Sequence, residues 1–189
     1  VIPAVGNANR VLDLIYIQSL GEPTDEELAA AAEAEYDATH EKVTVTDAGY
    51  ATYCSSYALD FSGVTGLTAY TASLEGSTVK FSEVSGSVPA GTGLLLKGKA
   101  GEVTTADAEI VESSETDVTG NILVGAITSK NIDAGSFVLM NGAQGVGFYK
   151  TTKEFTVGAN TAYIAALPNS SEDSRSFIGV SFDDNSVTG

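Results

Sequence analysis

The chain has 189 residues, 43% of them apolar, with 25 acidic against 9 basic side chains and a formal net charge of -16. Such a length fits one medium domain, or one domain with a small appendage, and buries roughly 70% of its unfolded surface without covalent staples. The negative field and the scattered cations disfavour nucleic acid and anionic membrane surfaces as partners. No apolar stretch approaches the ~20 residues that span a bilayer; VLDLIYIQSL is interrupted by Asp13 and Gln18.

Residues 1-42 carry nine acids and two bases, so seven of the sixteen net negative charges sit in that segment. Within it, VLDLIYIQSL (11-20) fits a short helix or a strand, and the helix is favoured. GEPTDEELAAAAEAEYDA is a clear helix. Thr24 caps it with Glu27 at the capping-box spacing, Asp25, Glu26 and Glu27 occupy the positive first turn, and the alanines propagate it. Its large apolar residues, Leu28 and Tyr36, make a weak docking face, and its carboxylates read as a solvated surface. His40, in ATHEKV, reads as a solvated connector residue.

From Lys42 onward Thr, Val, Ser, Gly, Tyr and Phe dominate, in short runs broken by turn residues. The strands expected are VTVT (43-46), YATYCS (50-55), ALDF (58-61), LTAYTAS (67-73), TVKFSEV (78-84) and GLLLKG (93-98). ILVG (122-125), SFVLMN (136-141), VGFYK (146-150), TAYIAA (161-166) and SFIGVSF (176-182) follow. LEGST and NGAQG read as hairpin turns. The polar stretch between residues 98 and 121 reads as loops around one weak strand. Strands so spaced imply an all-β antiparallel sandwich or barrel with a short acidic N-terminal helical segment.

VPAGTGLLL (88-96) matches VGANTAYIA (157-165) at an offset of 69, and Val79 and Phe81 match Val146 and Phe148 at an offset of 67. The expected division is therefore an acidic helical segment over 1-42, a β domain of two related halves over 43-184 (about 43-115 and 116-184), and a tail over 185-189. The apolar runs LLL and YIA read as strands covered on both faces.

The order AGYATYCSSYALDF, SVPAGTGLLLKGKAGEV, NILVG, FVLMNGAQGVGFYK and VGANTAYIAAL resembles a module recurrent in secreted and surface proteins of gut Bacteroidetes. The likeness covers roughly residues 45-182. It implies an extracellular or cell-surface location and a non-catalytic role in adhesion, attachment or accessory interaction. It names no catalytic residue. The chain opens at Val1, without the regions of a secretory signal, so the expectation is that the native start has been removed. The segment after Asp184 reads as part of a linker.

The remaining candidates are few. One Cys, Cys54, excludes an internal disulfide and a cysteine-rich metal site, and reads as buried and structural. One His and no GxSxG leave no catalytic triad, so no catalytic residue, metal or cofactor is expected. Asp183-Asp184-Asn185 lacks a calcium-loop spacing and reads, like SEDSR (171-175), as polar loop. Asn169-Ser170-Ser171 matches a sequon, without meaning in a bacterial protein. Tyr50, Tyr53, Tyr57 and Tyr70 form the one aromatic cluster. Tyr50 and Tyr53 are the candidate ligand contacts, as a sugar platform in a carbohydrate-binding module. Their spacing sends them to opposite faces of a strand, so core packing is the competing reading. The partner is thus a protein or a glycan.

Overall fold

The computed structural model describes residues 23-76, 78-167 and 175-182. The chain divides into two compact units, residues 1-39 and 40-189. VLDLIYIQSL, Asn169-Ser170-Ser171, residues 171-174 and Asp183-Asp184-Asn185 lie outside the described residues.

In the first unit, helix α1 (Asp25–Thr39) begins where the capping box places it. The Glu27 backbone N–H donates to Thr24 Oγ1 at 3.2 Å, and Glu27 Oε2 accepts from the Thr24 backbone N–H at 2.8 Å. The Thr24 N–H and the Thr24 hydroxyl, which both donate to Oε2, hold the Glu27 carboxyl below its ordinary range. No residue of α1 is buried, and Leu28 and Tyr36 are exposed.

The second unit is an all-β, sandwich-like stack of antiparallel sheets, with no closed barrel among the described residues. Its strands are β1 (His40–Val45), β2 (Tyr50–Tyr53), β3 (Ala58–Asp60), β4 (Thr68–Glu75), β5 (Thr78–Val84), β6 (Ser87–Val88), β7 (Leu94–Lys97) and β8 (Thr104–Val111). Then come β9 (Leu123–Ala126), β10 (Lys130–Ile132), β11 (Phe137–Gly142), β12 (Gly145–Lys150), β13 (Phe155–Val157), β14 (Thr161–Ile164) and β15 (Phe177–Gly179). Two readings of the sequence change. His40 lies in β1 opposite Glu109, not in a connector, because β1 starts where the helix ends. The weak strand of the polar stretch is β8, eight residues long and paired to both β1 and β3. Its alternation turns Ala106, Ala108 and Ile110 to the core, while Thr105 and Glu109 on the other face are exposed.

The sheets are ordered β1-β8-β3-β6, β2-β7-β4-β5, β9-β14-β11-β12-β15 and β10-β13. Three apolar layers separate them. Val43, Val45, Leu59 and Val88 meet Ala69, Leu94 and Leu96 between the first two sheets. Ala72 and Leu95 meet Phe137, Phe148 and Ile164 between the second and third. Val138 and Tyr163 meet Ile132 and Val157 between the third and the β10-β13 pair. β7 and β14 are therefore covered on both faces: Leu94 and Leu96 point into one layer and Leu95 into the next, and Tyr163 opposes Ala162 and Ile164 in the same way.

Strands β2 to β7 and β9 to β14 are wired alike. The first strand of each set pairs with the sixth, the sixth with the third, the third with the fourth, and the second with the fifth. The turns before β7 and β14 agree in detail. Gly91 and Asn160, 69 residues apart, both have positive φ, at 79° and 56°. The next residues, Thr92 and Thr161, each donate Oγ1 to the carbonyl three residues back at 2.7 Å.

The two sets exchange contacts at one crossing. The Cys54 N–H donates to the Asn160 carbonyl, and Thr92 bridges to Val124 of β9. A Cβ on Gly125 would stand 2.4 Å from both Cys54 Sγ and the Gly91 carbonyl oxygen. Backbone cannot yield as a flexible side chain can, so Gly125→Ala is expected to destabilise the domain by about 3 kcal/mol in urea unfolding. Cys54→Ala in the same chain should recover only part of that loss, because the Gly91 oxygen remains in the way. Full recovery would show that the thiol alone sets the spacing.

Candidate functional site, an open cleft on the third sheet

β11 reads FVLMNG and pairs with β12 along its whole length, but with β14 only at Phe137 opposite Ile164. The next ladder partners are Leu139 and Ala162. They line a cleft of about 260 Å³ instead, together with Met140, Phe155, Thr156 and Thr161. β13 forms the opposite wall. It is held by its pairing to β10, and Thr156 Oγ1 bonds Asn131 Oδ1 at 2.6 Å. Met140 and Phe155 flank the opening at 49% and 43% exposure, both high for large apolar side chains.

The cleft offers apolar surface and main chain. Of its three threonines, Thr156 and Thr161 already donate their hydroxyls elsewhere, to Asn131 and to the Gly158 carbonyl. The residues that line it include no His, Cys, Asp or Glu. Such a lining can hold an apolar or main-chain ligand.

The tyrosines proposed from the sequence do not meet. Tyr50 faces the layer between the second and third sheets, stacked on Phe182 with centroids 6.3 Å apart. Tyr70 and Phe81 tilt against the same Phe182 ring, and Lys97 Nζ lies 4.3 Å from its centroid. Tyr50 is thus one wall of a packed aromatic cluster. Tyr53 faces the opposite layer and is 9% exposed, which leaves its ring no face for a sugar. Tyr57 is exposed on the loop after β2. Among the described residues, no group of three or more His, Cys, Asp or Glu is placed to hold a metal ion.

A second polar spot adjoins Tyr53. Ser55 Oγ donates to Glu41 Oε2 and accepts the Tyr57 N–H at 2.9 Å. The Tyr53 hydroxyl lies near the Glu41 carboxylate and has no hydrogen-bond partner. Burial, reinforced by that carboxylate, pushes the phenol well above its ordinary range. The Cys54 thiol is raised by the same two causes, burial first. It is fully buried, as the sequence suggests, in surroundings that keep thiols unreactive.

Met140 and Phe155 are the residues that sequence reasoning passes over. TKEFTVGAN holds too few apolar residues to declare β13. In SFVLMN, alternation puts Val138 and Met140 on one face, and only the first is covered. Comparison with protein-family models, with curated proteins and with solved structures returns no match.

The Tyr53 shift has a sign that can be checked. The unfolded phenol ionises near pH 10, while the folded one keeps its proton. Its contribution is complete below about pH 10 and falls as the pH rises further. Tyr53→Phe removes an unpartnered buried hydroxyl, so it should leave stability at pH 7 within about 1 kcal/mol. It should also flatten the decline in unfolding free energy above pH 10. An unchanged alkaline decline would place the titrating group elsewhere.

Proposed function

We propose that this chain is a non-catalytic extracellular or cell-surface interaction module whose contact surface is the cleft between β11 and β13. The observation that carries this reading is the pair Met140 and Phe155, exposed on either side of an apolar cleft in a strongly anionic chain. The location rests on the resemblance to secreted gut Bacteroidetes modules. The attachment role rests on an apolar cleft open to a ligand. No described helix is long and apolar enough to cross a membrane. The carbohydrate-binding alternative draws on Tyr50, the better exposed of the two candidate tyrosines; its stacking on Phe182 weighs against it.

Beads coated with the chain should adhere to immobilised protein ligands of the cell surface or matrix. Met140→Asp combined with Phe155→Asp should cut that adhesion by about tenfold or more, because two apolar anchors are replaced by charges. Thermal unfolding should stay within a few degrees of the parent. A glycan-array signal lost in Tyr50→Ala and kept in the double variant would transfer the function to the tyrosine cluster.

A further inference from the structure

The two similarly wired strand sets differ in one respect, and the difference defines what the cleft takes. Beside the first set, the corresponding groove is filled by the chain itself. After β8, the segment 112-122 runs along it and bonds at three places. The N–H groups of Glu115 and Thr116 donate to Ser87 Oγ and to the Ser87 carbonyl, both at 3.0 Å. Asn121 Oδ1 accepts the Ala72 N–H at 3.0 Å, and the Ile122 N–H donates to the Ala72 carbonyl at 2.8 Å. Asn121 Nδ2 donates to the Gly93 carbonyl at 2.8 Å. The carboxamide thus closes the gap where β4 and β7 part, past Tyr70 opposite Leu95.

The offsets of 67 and 69 carry these three anchors to the second set. Ala72 corresponds to Leu139, Ser87 to Thr156 and Gly93 to Ala162. All three line the open cleft. The parting of strands also corresponds, since Tyr70 opposite Leu95 becomes Phe137 opposite Ile164. The filling segment carries Glu112, Glu115 and Asp117 and no base, whereas residues 121-167 hold Lys130, Lys150 and Lys153 against Asp133 and Glu154. An acidic strand therefore meets the least anionic stretch of the chain.

We infer that the cleft binds an extended acidic segment of a partner polypeptide. Its main chain pairs with Leu139 and Thr156, and an Asn carboxamide closes the gap between Leu139 and Ala162. This rests on the cleft being the interaction surface and names the chemistry of its partner. Main-chain pairing supplies affinity, and the carboxamide supplies register.

The probe is a synthetic peptide with the sequence of residues 112-122, titrated into the isotope-labelled chain and followed by NMR. Saturable shifts are expected at Leu139, Met140, Thr156 and Ala162, with a dissociation constant on the order of 100 µM, as for a short flexible peptide. Replacing the peptide's Asn by Ala should weaken binding about tenfold. A scrambled peptide of equal composition should not bind. No shift at millimolar peptide, or equal binding of the scrambled peptide, overturns the inference. Binding seen only in a chain ending at Phe182 assigns the groove to this chain's own last residues, and concentration-dependent shifts without peptide assign it to a second copy; either overturns it. If the peptide fails while Met140→Asp with Phe155→Asp still abolishes adhesion, the interaction reading stands and the acidic-strand inference falls.

Discussion

The β domain depends on a contact in which a sulfur atom stands where a methyl group has no room. Cys54 follows β2 directly, Gly125 lies in β9, and the two occupy the same register position in their respective strand sets. A Cβ on Gly125 would collide with both Cys54 Sγ and the Gly91 carbonyl oxygen, so the backbones approach more closely than two residues with side chains allow. The approach lets each set reach into the other. Cys54 donates to the carbonyl of Asn160, and Val124 bridges to Thr92. The partners are the left-handed turn residue of one set and the threonine after it in the other. Those turns are stiffened by Thr92 and Thr161, which bond back to their own loops. The crossing is a main-chain lock, and it sets the separation at which the second and third sheets pack.

That separation determines what the long apolar strands must be. With sheets on both sides, β7 and β14 have no polar face, which explains three consecutive leucines in one and Ala162-Tyr163-Ile164 in the other. Single-sided strands such as β1 and β8 keep the two-residue alternation. The layer between the second and third sheets holds the largest side chains, with Phe137 and Phe148 fully buried and Phe81 stacked 6.2 Å from Phe148. Tyr50 belongs to the end of this layer. Its aromatic face contributes to packing before any ligand arrives.

How much of this is legible in the residues depends on whether a signal is local. The capping box of Thr24 and Glu27 is local, and the helix starts where it points. The opposite facing of Tyr50 and Tyr53 follows from strand alternation alone. So does the hydrophobic run of β7, since a strand without polar alternation has to be covered twice. β6, β10 and β13 were not legible. They are two or three residues long, and each exists because a partner strand is brought to it from elsewhere in the chain. The cleft was hidden for a related reason. Nothing near Met140 or Phe155 records that β11 and β14 separate after one pair. That parting shows only in the pairing of two strands whose first residues, Phe137 and Thr161, lie 24 positions apart in the chain.

The acidity of the chain takes on structure when set against these layers. The described helix carries six carboxylates and no base, and residues 112-117 add three more beside the first strand set. Those three belong to a segment whose main chain is engaged, so their charges project from a strand-like filling rather than lining a pocket. The stretch from 121 to 167 has three lysines against two carboxylates, and there the corresponding groove stands open. Main-chain pairing alone would accept any extended peptide. The cleft lining itself holds no charged side chain, so selectivity for an acidic peptide would come from the lysines of the surrounding stretch. Where two strand sets share their pairings and turns, the side that remains unfilled acquires its specificity from the side that is filled.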